Sequence, residues 1–246
     1  NESKLNKGAS VSGHSKWSTI KRQKGVADAK RGAVFTKIGN AIAIAARGGI
    51  DPTMNSALAL AIEKAKSANM PAANIQRAID RVADKSAAAL EEVVYEGYGP
   101  GGAAVIVECN TDNRNRAAAD IRHAFTHHGG SVGTPGCVGW MFKKKAIFVV
   151  EKEAFDDEDA LMEIVLEAGA EDMKDEGEVF EITAESDAYD DIEAALTEKG
   201  IETASAEITM VPDNTVKLSG ADAEKMQNLE DALDENDDVQ NVYSNY

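Results

Sequence analysis

At 246 residues the chain is long enough for two or three small domains, each with its own core. Its 43% hydrophobic and 28% charged residues suit a soluble globular protein, and no run of about 18 apolar residues exists to span a bilayer. The start "NESKLNKGASV" lacks the apolar core of a secretion signal, and two cysteines, Cys109 and Cys137, cannot make a disulfide framework, so a reducing, cytoplasmic setting is expected.

The net charge of -17 hides a strong asymmetry. Residues 1–85 carry 15 Lys/Arg against 6 Asp/Glu, residues 86–150 are balanced, and residues 151–246 carry 5 against 31. One end therefore reads as built to meet a polyanion and the other as repelling one, although a solvated acidic surface explains the second half equally well.

In chain order, residues 1–10 are polar and unpatterned. From Ala33 to Arg47, Val34, Ile38, Ala41, Ile42 and Ala45 form a helical stripe that Gly48-Gly49 stops. Asp51-Pro52 is expected to open a second helix carrying Leu58, Ala61, Ile62 and Ala65, and Pro71 a third carrying Ile75, Ala78, Ile79 and Val82. After Leu90 the period becomes strand-like. "EVVYEGY" and "AAVIVEC" flank a glycine-rich turn as a hairpin, and "NRAAADIRHAFTHH" follows as a helix stopped by Gly129-Gly130. "WMFKKKAIFVVE" reads as strand around a basic turn. Two further helices, "DDEDALMEIVLEAG" and "DAYDDIEAALTEKG", alternate with the strands "GEVFEITAE" and "IETASAEITMV", an order close to the βαββαβ of a ferredoxin-like unit. The ending, "TVKLSG", "ADAEKMQNLEDALDEN" and "DVQNVYS", reads as β-α-β and most simply completes the sheet begun by residues 90–130.

The predicted fold is therefore α+β: an N-terminal three-helix domain followed by two α/β domains, one ferredoxin-like and inserted in the other. The expected boundaries are 12–85 for the basic helical domain, 86–135 plus 212–246 for the discontinuous domain, and 136–211 for the acidic ferredoxin-like one.

Gly97, Gly99 and Gly102 satisfy G-x-G-x-x-G, but a dinucleotide site needs that turn to open a helix; here it opens "AAVIVEC", a strand, and Pro100 removes one amide. A shaped hairpin turn is expected, with no nucleotide cofactor. His123 and His127 lie four apart with His128 adjacent, yet lack the Glu of H-E-x-x-H and a third ligand, so no metal is expected. No constellation of residues points to catalysis, and the chain is not expected to be an enzyme or to bind a small-molecule substrate.

The strongest chemistry is basic. His14, Lys16, Lys21, Arg22, Lys24, Lys30, Arg31, Lys37 and Arg47 stand against the single acid Asp28, with Trp17 among them, a set suited to phosphates and to an exposed base. The competing reading is a solvated basic face with Trp17 as a core anchor. Arg31 falls on the apolar side of its helix, so that helix's first turns should project beyond the local core. A second basic site is "TDNRNR" with Arg122: Arg114 and Arg116 near a helix start suit phosphate oxygens, with Tyr98 and the "GYGPGG" turn expected on the same edge; an Asx cap with solvated arginines is the bland alternative. Lys143, Lys144 and Lys145 read as a basic hairpin tip.

Taken together, "GHSKW", "DAKRGAVFTKI", "NIQRAI", "YEGYGPGG", "DNRNR", "IRHAF", "HGG", "LEAGAED" and "DDVQNVY" resemble the YebC/PmpR family, which includes the mitochondrial translational activator of cytochrome oxidase. The match runs from about Ser12 to the C-terminus. The resemblance implies an N-terminal helical domain plus two α/β domains and nucleic-acid binding without a known reaction. Some members are described as DNA-binding transcriptional regulators, and others act on ribosomes, relieving stalls at proline-rich stretches. The expected partners are thus the ribosome, through rRNA and tRNA, or duplex DNA, and no membrane. Val11 and ten upstream residues depart from the usual family start.

Overall fold

The computed structural model describes residues 16–26, 31–84 and 89–246, with the side chains of 22–26, 31 and 33 left out. It divides into two compact units, one gathering residues 16–24 and 141–217, the other 31–140 and 218–245.

In the second unit, three helices form a small bundle: α2 (Arg31–Ala45), α3 (Ser56–Ser67) and α4 (Ala72–Asp80). Ile38, Ile42, Leu58, Ala65, Ile75 and Ile79 close its core, while Val34, 42% exposed, leaves the first turn of α2 outside it. Helix α3 starts later than Asp51-Pro52 suggested. Asp51 instead accepts from the backbone N–H and hydroxyl of Thr53 in a turn, and Asn55 caps the helix by accepting from the Leu58 N–H at 3.1 Å. The same Asn55 amide donates to the carbonyls of Ala45 and Gly49, so one side chain ties the end of α2 to the start of α3. Pro71 precedes α4 as its cap residue, and α4 gives way at Arg81 to a 3₁₀ turn that leaves Val82 exposed.

Strands β1 (Glu91–Tyr98) and β2 (Ala104–Thr111) form the predicted hairpin, and α5 (Arg114–His127) follows, capped by Asn113. A two-residue β3 (Ser131–Val132) pairs with β1 at Gly97 and Tyr98. Helix α8 (Gly220–Glu235) and β8 (Val239–Ser244) return to the sheet, giving the antiparallel order β3-β1-β2-β8. "TVKLSG" is not a strand; its residues reach α8 as irregular chain.

Residues 141–217 of the first unit are ferredoxin-like and lie between β3 and α8 in sequence. They run β4 (Phe142–Glu151), α6 (Glu158–Glu167), β5 (Asp172–Asp175), β6 (Val179–Glu185), α7 (Tyr189–Glu198) and β7 (Ser205–Pro212), with sheet order β5-β6-β4-β7. The basic turn read at Lys143–Lys145 does not exist. Strand β4 is continuous because it pairs with β7 over Phe142–Val149 and with β6 over Lys145–Glu151, and Lys145, opposite Glu185, bonds Glu185 at 2.6 Å and Glu171 at 3.0 Å. The strand missing from the sequence reading is β5, a four-residue edge strand.

Ala146, Phe148 and Val150 face α6 and α7, whereas Ile147 and Val149 face the other way, against Trp17 and Ile20 of α1 (Lys16–Val26). A helix thus covers the second face. That explains why "AIFVV" is an unbroken apolar run rather than an alternating one.

Candidate nucleic-acid interface

Lys37 projects from α2 and donates to the Asp234 carbonyl at the end of α8. Arg77 on α4 and Arg81 at the start of the 3₁₀ turn that follows it stand about one turn apart beside α2. Arg81 donates to Asn40 Oδ1 at 3.1 Å, and Arg77 approaches Asn74 Oδ1 at 3.4 Å; neither arginine forms an ion pair with another described residue. Between α2 and α4 lies a groove of about 300 Å³, with Phe35, Gly39 and Met70 contributing apolar lining and Asn40, Asn74, Arg77 and Arg81 polar lining.

The α5 start lies within electrostatic reach of this corner. Asp112 is held below the usual carboxylate range first by its hydrogen bond from Arg116 and, at longer range, by Arg81. Asn113 accepts from the Arg116 N–H at 3.0 Å, which is the Asx cap foreseen as the bland reading. Arg116 is further engaged by Asp238 through two bonds of 3.1 and 2.8 Å and by Asp112 at 2.8 Å, a fork geometry that fixes the turn before β8. Arg114 is more open, 68% exposed with Glu91 at 3.6 Å. Arg122, two turns along α5, is exposed. Beneath this corner, burial pushes the Cys109 thiol up to about 12, with Asp238 adding to the rise and Lys37 opposing it, so the thiol stays protonated.

The glycine turn lies elsewhere. Glu91 pairs with Thr111 and Tyr98 with Ala104, so "GYGPGG" and "DNRNR" occupy opposite ends of the hairpin, about 20 Å apart at 3.3 Å per residue. The structure does not bring Tyr98 to Arg114 and Arg116, contrary to the shared edge expected from sequence. The turn instead packs on α8: a side chain at Gly99 would lie 2.7 Å from Met226 Sδ, and Gly101, at φ +69°, needs the left-handed region. Beside it Glu96 is buried, its carboxylate accepting from the N–H groups of Gly136, Val138 and Gly139 and so shaping the loop that presents Trp140. Trp140 Nε1 and the Tyr98 hydroxyl both donate to the Cys137 carbonyl.

In the other unit, the basic residues of α1 meet acids. Lys16 pairs with Glu207, and Lys21 with Glu178. Trp17 Nε1 donates to the same Glu178 at 2.8 Å, and Lys21 lies 5.2 Å from the Trp17 ring centre. Lys21 and then Trp17, by their hydrogen bonds, hold Glu178 below the usual carboxylate range. The ring of Trp17 is half-buried over Ile147, Val149 and Val179. His14, Lys30 and the side chains of Arg22, Lys24 and Arg31 lie outside the described residues.

His123 and His127 stack at 5.6 Å, and burial, followed by the two neighbouring imidazoles, lowers the His128 pKa. Among the described residues no group of three or more His, Cys, Asp or Glu side chains is arranged to hold a metal. None of the described helices is long and apolar enough to cross a membrane.

Arg77, Arg81 and the groove beside them were not among the residues that the sequence singled out for nucleic-acid contact. One signal was there: the two arginines stand four apart, a spacing that puts both on one side of a helix.

Two family models match the chain: "TACO1/YebC protein N-terminal domain" over residues 15–85 and "TACO1/YebC second and third domain" over residues 90–246. A relative from Pelotomaculum thermopropionicum, named a probable transcriptional regulatory protein, is 54% identical over 239 residues, covering 96% of this chain and 98% of its own. One from Geobacter sulfurreducens with the same description is 51% identical over 238 residues, 96% of each chain. The crystal structure of a conserved hypothetical protein from Aquifex aeolicus is similar with a TM-score of 0.84 at 41% identity, covering 94% of this chain and 96% of that one.

Proposed function

Because the chain belongs to the TACO1/YebC family, we propose that it is a nucleic-acid-binding regulator of gene expression, acting as a ribosome-associated translation factor that contacts rRNA and tRNA and relieves stalling at proline-rich stretches. The observation that carries the reading is the corner formed by α2, α4 and the start of α5. There Arg77 and Arg81 have no acid bound to them among the described residues and Arg114 is largely exposed, so their guanidinium groups are available to phosphate oxygens. In this reading the protein carries out no reaction of its own and works by occupancy.

Duplex DNA is the second reading, favoured by the names of the bacterial relatives. It sits less well with α4. That helix is nine residues long, and Gln76 donates to Asp80 at 2.9 Å, which spends two of the outward side chains that would have to read bases. The test is co-sedimentation with ribosomes set beside footprinting on promoter DNA. Retention on ribosomes at moderate salt supports the translation role; no retention together with a sequence-specific footprint replaces it with the transcriptional one.

A further inference from the structure

Resting on that reading of a nucleic-acid-binding surface, we infer that the groove between α2 and α4 seats one unpaired nucleotide, its base in the slot and its phosphates on Arg77 and Arg81. The groove is an open depression between two helices rather than a ridge. A duplex is read by an element that enters it, whereas a slot between helices receives something that enters the protein, and only an unstacked base can do so. Its size of about 300 Å³ is at the small end of ligand sites, enough for a single planar ring system.

The lining has the three chemistries a nucleotide needs. Phe35 and Met70 supply an apolar surface on which a base can stack. Asn40 and Asn74 each offer Oδ1 to an arginine, while their Nδ2 donors have no partner among the described residues and suit acceptors on a base edge. Arg77 and half-buried Arg81 are oriented by those amides and form no ion pair among the described residues, Asp112 acting on Arg81 only at longer range, so an anion need not break a salt bridge to reach them. Gly39 keeps the slot open. A glycine inside a helix is destabilising by roughly 0.5–1 kcal/mol relative to Ala, and here its backbone conformation is an ordinary helical one with Met70 Cε 3.9 Å from where a Cβ would sit. Neither the turn geometry nor close packing demands glycine at 39; the open space does what a side chain would undo.

The experiment uses the full chain with a mixed-sequence 12-nucleotide RNA as a single strand, the same strand with abasic sites, and its duplex, titrated over a range of KCl. Gly39→Leu fills the slot and improves helix propensity, so thermal melting should show a folded protein. It should weaken single-strand binding about tenfold, the scale of one lost base stack, while leaving the abasic strand, the duplex and the salt slope unchanged. Phe35→Leu, which keeps apolar bulk and removes the ring, should weaken the single strand in the same direction. Arg77→Gln with Arg81→Gln should lower the single-strand salt slope by about 1.4, at 0.7 per phosphate. Equal affinity of parent and Gly39→Leu for the single strand overturns the nucleotide slot while the binding function stands. A parent protein that binds none of the three probes overturns the functional reading itself.

Discussion

Helices α1 and α4 both carry basic side chains, and their surroundings treat them in opposite ways. On α1, Lys16 and Lys21 are matched by Glu207 and Glu178 of the acidic unit, and Trp17 lies over the sheet that those acids fringe. Arg77 on α4 and Arg81 just past its end hydrogen-bond, among the described residues, the amide oxygens of Asn74 and Asn40, with Asp112 only at longer range from Arg81. The difference teaches that the charge of a segment is not its footprint on a partner. Part of the basic charge in residues 1–85 is consumed within the chain, by the acidic stretch that seemed to be its opposite pole. A phosphate approaching Lys21 must compete with a bonded Glu178; one approaching Arg81 meets, among the described residues, a bonded neutral amide, with Asp112 at longer range.

The comparison is broken most directly by exchanging charges. Arg77→Gln with Arg81→Gln should lower the salt slope of nucleic-acid binding by about 1.4 to 1.8, at 0.7 to 0.9 per lost contact. Lys16→Gln with Lys21→Gln should leave that slope unchanged, and equal losses from the two double variants would erase the distinction. A smaller effect, on stability rather than binding, belongs to Trp17: its replacement by Ala should cost the ferredoxin-like unit about 1–2 kcal/mol of apolar burial, read from a denaturant melt.

Acid should sharpen the contrast further. Glu178 has its folded pKa depressed by Lys21 and Trp17, so its contribution is present above the unfolded value of about 4.5 and is lost as pH falls through the lower folded value. Docking of α1 should therefore hold at neutral pH and loosen only below about pH 4.5, followed by Trp17 fluorescence in a Trp140→Phe background. Glu178→Gln should remove this transition; its persistence would mean that another group governs the docking. The smallest change is expected from Arg116→Lys, which keeps the charge but loses the fork to Asp238: a slightly lower melting temperature with the salt slope intact.

Much of the fold was legible because its signals are local. The stripe of Ile38 and Ile42, the cap at Asn113, the stops at Gly129-Gly130 and the hairpin around Gly99 each follow from a few neighbouring residues. The errors fall where distant partners decide. Lys143–Lys145 looked like a tip because three lysines disfavour a buried strand, yet Glu185 of β6 and Glu171, just before β5, bond Lys145. The four-residue β5 is too short to show a period, and "TVKLSG" has strand-like residues that pair with no strand of either sheet. The continuous "AIFVV" did carry the information that β4 is covered on both faces, though not that α1 is one of the covers.

The candidate interface divides along the same line. By itself the amino-acid sequence determined that the chain is α+β, that the glycine turn joins two strands, and that cationic side chains concentrate before residue 85, since propensity, turn chemistry and charge are properties of short segments. Only the tertiary structure decided which of those cations are held by acids. Lys21 meets Glu178 across 157 positions of chain and Arg116 meets Asp238 across 122, whereas Arg81 meets Asn40. Coulomb's law acts over ångströms of space, and the fold alone converts distance along the chain into distance in space.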